Sequence, residues 1–176
     1  MENHWQVITG GPCSGKTTLV NELASRGYQT VTESAREYIA SELAKGVPME
    51  VLRADQALLQ SGIFDLKLIK EDAAPREGVV FLDRGLPDTR AYCRVHAVSE
   101  SELMAKAIET ARYENVFVLD SLPMLQDEIR TESEEEKKIL HESTLNVYKE
   151  LGFNIISVPV GTIEERVDFV LSRLKK

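Results

Sequence analysis

The 176-residue chain lacks most of the features that mark a disulfide scaffold, a membrane protein or a nucleic-acid binder. It has two cysteines, Cys13 and Cys93, which form neither a C-x-x-C pair nor a zinc-ligand spacing, so they read as reduced thiols. No apolar run approaches the length of a membrane span. The opening Met-Glu-Asn-His lacks the basic and apolar regions of a secretory signal, and the expectation is a cytoplasmic protein. Lysine and arginine number 21 against 29 acidic residues, a net charge of −8, which argues against the basic stripe that nucleic acid requires. There is no internal repeat, no low-complexity linker, and no N-K-x-D motif of the kind that reads guanine. The remaining composition, 43% hydrophobic and 28% charged, is that of a soluble globular protein. Its length fits one domain, residues 1–176, with a small lid.

Within this plain background, residues 10–17 read G-G-P-C-S-G-K-T, a full match to the phosphate-loop pattern G-x-x-x-x-G-K-[ST]. Gly11, Pro12, Cys13, Ser14 and Gly15 would curl the backbone so that successive N–H groups face an anion. Lys16 would reach the β- and γ-phosphates, Thr17 would ligate Mg²⁺, and Thr18 continues the first turn of a helix whose dipole favours the same phosphates. The context agrees. His4 to Thr9 is β-branched and aromatic, as a strand should be, and residues 17–27 place Leu19, Leu23 and Ala24 on one helical face before Gly27.

Strand-like and helical stretches then alternate. Short strands fit residues 28–32, 79–82, 116–119 and 154–158; helices fit 34–45, 50–73, 87–96, 100–112, 134–151 and 163–174. Continuous apolar runs such as Val79-Val80-Phe81-Leu82 suit strands buried on both faces. The pattern predicts an α/β fold with three layers, a parallel sheet of about five strands, and ligands beyond the carboxyl ends of the strands.

Chemistry-bearing residues fall at those ends. Asp83 follows the third strand, where a P-loop protein holds the aspartate that supports Mg²⁺. The next residue, Arg84, replaces the glutamate that motor-type ATPases use to polarise water, and its planar fork suits a transferring or acceptor phosphoryl group. The alternative for Arg84 is a surface pair with Asp88 or Glu37. Glu33 ends the second strand and is placed either to accept a proton from an acceptor hydroxyl or to favour a helix dipole. Arg36, one turn on, binds substrate or pairs with Glu33. Residues 121–133 form a polar stretch read as a lid, with Arg130 the candidate to stabilise transferring charge. Ser133 with Glu136, and Thr162 with Glu165, read as capping boxes. His4, His96 and His141 show no ligand spacing and read as ordinary; Trp5 and Tyr38 read as core.

Several of these stretches carry a family likeness: G-G-P-C-S-G-K-T at 10–17, T-E-S-A-R-E-Y at 32–38, V-F-L-D-R-G-L-P-D at 80–88, A-R-Y-E-N-V-F-V-L at 111–119, D-E-I-R at 127–130 and E-E-R-V at 164–167. Through them the whole chain resembles the P-loop family of AAA-type ATP-binding, or ATPase, domains, and is similar in layout to the ribosylnicotinamide kinase-like nucleoside and nucleotide kinases. The resemblance implies a kinase-like P-loop fold, Mg²⁺-ATP as donor, and phosphoryl-transfer roles for Lys16, Thr17, Asp83 and Arg130. Arg84-Gly85 departs from the ribosylnicotinamide kinases, so the likeness does not carry that acceptor across. Two functions follow as expectations: a small-molecule kinase acting on a nucleoside-like or other small acceptor, and an NTP-hydrolysing or NTP-sensing module acting on a protein partner. A nucleic-acid end kinase is opposed by the acidic balance.

Overall fold

The structure, a computed structural model, describes residues 4–120 and 134–174. Five parallel strands, β1 (His4–Gly10), β2 (Gln29–Val31), β3 (Val79–Asp83), β4 (Asn115–Leu119) and β5 (Ile155–Val158), lie in the order β2-β3-β1-β4-β5. From the central β1 the chain runs to the edge strand β2, returns to β3 beside β1, and then crosses to β4 and β5. The connections after β1 and β3 thus leave in opposite directions and open a crevice at the carboxyl ends of those two strands. Eight helices are described: α1 (Lys16–Ser25), α2 (Ser34–Ala44), α3 (Met49–Ala54), α4 (Gln56–Ala73), α5 (Leu86–Val95), α6 (Glu102–Thr110), α7 (Glu134–Glu150) and α8 (Ile163–Ser172).

Strand residues alternate between two cores because successive side chains point to opposite faces. Ile8, Phe81, Phe117 and Leu119 pack with Leu19, Leu23, Val167 and Val170 of α1 and α8. Trp5, Val7, Val80, Leu82, Val116 and Val118 pack on the other face, where Tyr148 of α7 joins them. A third cluster, Phe64, Leu86, Met104 and Ile108, binds α4, α5 and α6 to one another. The predicted three-layer α/β architecture with a five-stranded parallel sheet is thus the observed one.

Three local readings are corrected. The helix expected over 50–73 is two helices: Asp55 breaks the run, and its carboxylate accepts from the Leu58 N–H to cap α4. Ala24 is exposed, and Val20 fills the inner face of α1 beside Leu19 and Leu23. Tyr38 is half-buried, whereas Trp5 is core as expected. The Thr162–Glu165 capping box is present; Ser133 lies outside the described residues.

Candidate active site at the carboxyl ends of β1, β2 and β3

The loop Gly10–Gly15 joins β1 to α1, and two features fix its path. Gly10 has φ +136°, and a Cβ there would stand 2.7 Å from the Leu119 carbonyl oxygen, so only glycine passes β4 at this point. At the other end Gly15, in the left-handed region, is the N-cap of α1. Cys13 also has positive φ, +60°, and is half-buried; neither cysteine is disulfide-bonded. Lys16 is buried, its Nζ donating to Gly11 O at 2.6 Å and to Ser14 Oγ at 3.2 Å. Burial, with Arg84 nearby, brings its ammonium down to about 7.

The parallel register sets Ile8 against Asp83, and the Arg84 N–H donates to Ile8 O at 3.0 Å. Asp83 therefore stands beside the phosphate loop. Thr17 Oγ1 donates to Asp83 Oδ2 at 2.9 Å, while Asp83 Oδ1 is buried without a hydrogen-bond partner. Burial, reinforced by Glu33, raises the Asp83 carboxyl above its ordinary range. An orphan buried carboxylate oxygen is costly unless something cationic or protic meets it. A divalent ion held by Thr17 and Asp83 would do so. Among the described residues no group of three or more His, Cys, Asp or Glu could hold a metal by itself. That suits Mg²⁺, which is bound through one or two protein oxygens with phosphate and water completing its shell.

Arg84 is buried, not a surface arginine. Its guanidinium donates to Asp88 Oδ1 at 2.9 Å, to Gly10 O at 3.3 Å and to Glu33 Oε1 at 3.3 Å. Its own backbone has φ +70°, unfavourable for a residue with a Cβ, and the turn around it is held at several points. Asp88 Oδ2 accepts from the Gly85 N–H, buried Lys67 donates to Gly85 O, and the Leu86 N–H donates to Tyr113 Oη. The surroundings thus hold the strained backbone that aims Arg84 inward.

Glu33 stands at the N-cap of α2 without a side-chain capping bond. Its oxygens instead receive Arg84 and, at 2.9 Å, Arg36 Nε. Burial would raise its carboxyl, but Arg84, Lys16 and Arg36 outweigh that and hold it below the usual range. Arg36 is largely exposed on the outer side of the pair. Glu33, Arg36, Arg84, Asp83, Lys16 and Thr17 are thus brought into one cluster from three strand ends. Arg130 and the segment 121–133 lie outside the described residues.

A phosphate loop on a parallel sheet, with an aspartate ending the adjacent strand, is a P-loop arrangement, and the AAA domain family AAA_28 matches residues 5–166. The chain belongs to that family. This AAA domain is similar to the trifunctional NAD biosynthesis/regulator protein NadR of Salmonella typhimurium strain LT2, 27% identical over 162 residues, covering 90% of this chain and 39% of that protein. The NadR of Escherichia coli K12 is 28% identical over 132 residues, covering 70% of this chain and 30% of that one. The chain therefore spans less than half the length of these relatives. Among solved structures it resembles a NadR protein in complex with NR, with TM-score 0.69 and 21% identity, covering 98% of this chain and 50% of that one. It also resembles deoxyadenosine kinase from M. mycoides with bound dATP, with TM-score 0.68 and 15% identity, covering 98% and 99% of the two chains. These likenesses show that the fold of this AAA domain is the kinase-like P-loop α/β fold.

Three residues around the site have contacts that the sequence did not fully assign. The pair of Arg84 with Asp88 that the sequence offered is present but buried, and Asp88 accepts also from Thr9 Oγ1 and Tyr148 Oη. Its signal was present as Pro87-Asp88 in the first turn of α5, the placement typical of a helix start. Arg166, buried on α8, donates to Ser14 O at 2.6 Å, Asp120 O at 3.2 Å and Pro159 O at 3.0 Å, tying the phosphate loop to the ends of β4 and β5. His141 of α7 accepts the Gly11 N–H at Nδ1, 3.2 Å away. No local pattern announces either contact, since the partners lie 152 and 130 residues apart.

Proposed function

We propose that the chain is a Mg²⁺- and ATP-dependent kinase that transfers the γ-phosphoryl group to a hydroxyl of a nucleoside-like small molecule. The observation that carries this reading is Glu33. It is a carboxylate held ionised by Arg84, Lys16 and Arg36, in the same cluster as Asp83 and the phosphate loop. The glutamate with which motor-type ATPases polarise water follows the strand-ending aspartate, and that place is taken here by Arg84; Glu33 comes from the end of β2 instead, held between Arg84 and Arg36. A carboxylate in that place suits an acceptor alcohol, which needs both orientation and a proton acceptor.

The backbone of Gly11, Pro12, Cys13, Ser14 and Gly15, with Lys16, Thr17 and Thr18, would bind the triphosphate. Thr17 and Asp83 would hold Mg²⁺, which would neutralise charge on the triphosphate. Lys16 turns from Gly11 O and Ser14 Oγ toward the phosphate oxygens, and Arg84, already aimed inward, faces the transferring group. Glu33 takes the acceptor's proton as the new O–P bond forms and the bond from the γ-phosphorus to the bridging oxygen of ADP breaks. Arg36, more exposed, orients the acceptor. The part assigned to Arg130 and the lid rests on the sequence alone, as do a single-domain organisation over 1–176 and a cytoplasmic location. Support for a nucleoside-type acceptor comes from the ligands named for the similar structures, NR with a NadR protein and dATP with deoxyadenosine kinase.

Glu33→Gln tests the base. Transfer should fall by ~10²-fold or more while ATP affinity stays within about twofold, read by single-turnover transfer and nucleotide titration. Near-normal transfer by Glu33→Gln would remove the base from the mechanism.

A further inference from the structure

The Gly11 amide of the phosphate loop donates to a side chain outside the loop, His141 Nδ1 on α7. Two observations make that contact a built one. A Cβ on Gly11 would stand 3.1 Å from His141 Cβ and 3.2 Å from Lys137 O, so loop and helix meet backbone against helix face with no room between. And α7 is itself fixed beyond His141. Ser143 Oγ donates to Ala91 O of α5 at 3.2 Å, and Tyr148 Oη donates to Asp88 Oδ2 at 2.7 Å, beneath Arg84. His141 thus hangs from a helix anchored to the acceptor side of the site and grips the first turn of the donor side.

We infer that His141 is a positioning residue for the phosphate loop. Its neutral imidazole accepts from Gly11 at Nδ1 and carries its proton on Nε2, and this fixes where the loop leaves β1. The reading rests on the proposal that the loop binds a nucleotide. With the first amide held, the N–H groups of Cys13 to Thr17 are aimed before any phosphate arrives; without it, part of the binding free energy goes into ordering the loop. The effect belongs to nucleotide affinity more than to the chemical step, because His141 meets the Gly11 N–H, whereas Lys16 meets the carbonyl of that residue and leaves it when phosphate is bound. Asparagine has an amide oxygen close to the place of Nδ1 on the imidazole, so it can accept the same bond where alanine cannot.

The test compares wild type, His141→Ala and His141→Asn by backbone amide NMR without nucleotide and by Mg²⁺-ATP titration. In His141→Ala the Gly11 amide proton should move upfield with neighbouring loop amides following, and the ATP dissociation constant should rise roughly three- to tenfold. His141→Asn should return both toward wild type. The wild-type imidazole should show the Nε2–H tautomer in its ¹⁵N signals. Amide changes confined to α7, an unchanged ATP affinity in a folded His141→Ala protein, or a Nδ1–H tautomer would each overturn the assignment. If His141→Ala does not fold, the asparagine variant and the wild-type tautomer still decide it. A wild-type protein that binds no ATP would defeat the nucleotide reading, while the amide comparison would still judge the grip of His141 on the loop.

Discussion

The same sheet is finished differently at its two ends. At the amino ends, Asn154 donates to Asn115, Asn115 to Gln6, and Gln6 to Glu114, at 2.6, 2.8 and 2.8 Å; Gln6 and Asn115 are buried. Each of these side-chain amides has a partner, and none of these four residues has positive φ. At the carboxyl ends, Lys16, Asp83, Arg84 and Asp88 are buried together, one Asp83 oxygen has no partner, and Cys13 and Arg84 have positive φ. Buried polar groups that are fully paired hold a fold together; those left unpaired, charged and strained are retained against the cost of doing so. The contrast supports, without reference to any relative, the proposed placing of the nucleotide at the carboxyl ends.

The comparison can be broken by mutation. At the charged end, Lys16→Ala and Asp83→Asn should each lower ATP turnover by about 10²- to 10³-fold. Asp83→Asn should not lower the melting temperature. A carboxyl raised by burial is destabilising in its ionised form above the ordinary carboxylate range, so removing the charge relieves the fold at neutral pH. A large loss of stability with intact turnover would reverse the assignment. At the neutral end, Asn115→Ala leaves Gln6 and Asn154 short of a partner and should cost about 1–3 kcal/mol in urea unfolding, with ATP affinity unchanged while the protein is folded.

A smaller effect follows from Lys16. Its ammonium is lowered to about 7 by burial and Arg84, and phosphate oxygens beside it favour the charged form. Binding therefore takes up a proton above that value, and ATP affinity should fall as pH rises past it, by up to about tenfold per unit. Calorimetry at pH 8 in two buffers of different ionisation enthalpy should show uptake approaching about one proton in wild type and none in Lys16→Arg. Equal enthalpies in the two buffers for wild type would contradict a lowered Lys16.

Contiguous features were legible in the sequence. The phosphate loop spans eight adjacent residues, Asp83 follows an unbroken apolar strand, and Thr162–Glu165 is a local box, so each could be read from spacing alone. The five-strand parallel sheet followed from alternation of short apolar runs with longer amphipathic ones. What failed was anything decided between distant segments or by a single competing residue. The position of Arg84 depends on a turn closed by Lys67, Asp88 and Tyr113 from three helices or loops. His141 and Arg166 look ordinary in the chain because their partners are backbone groups, which carry no sequence signature. Asp55 was hidden inside a helical pattern whose periodicity continues on either side of it.

The most direct test is ATP turnover with Mg²⁺ against a panel of nucleosides, nucleotides and vitamin-like alcohols, with ADP and free phosphate counted separately. The account predicts ADP without matching phosphate release, appearing only when one hydroxyl-bearing compound is present. Steady phosphate release indifferent to every compound would contradict it and favour a hydrolysing module that acts on a protein partner.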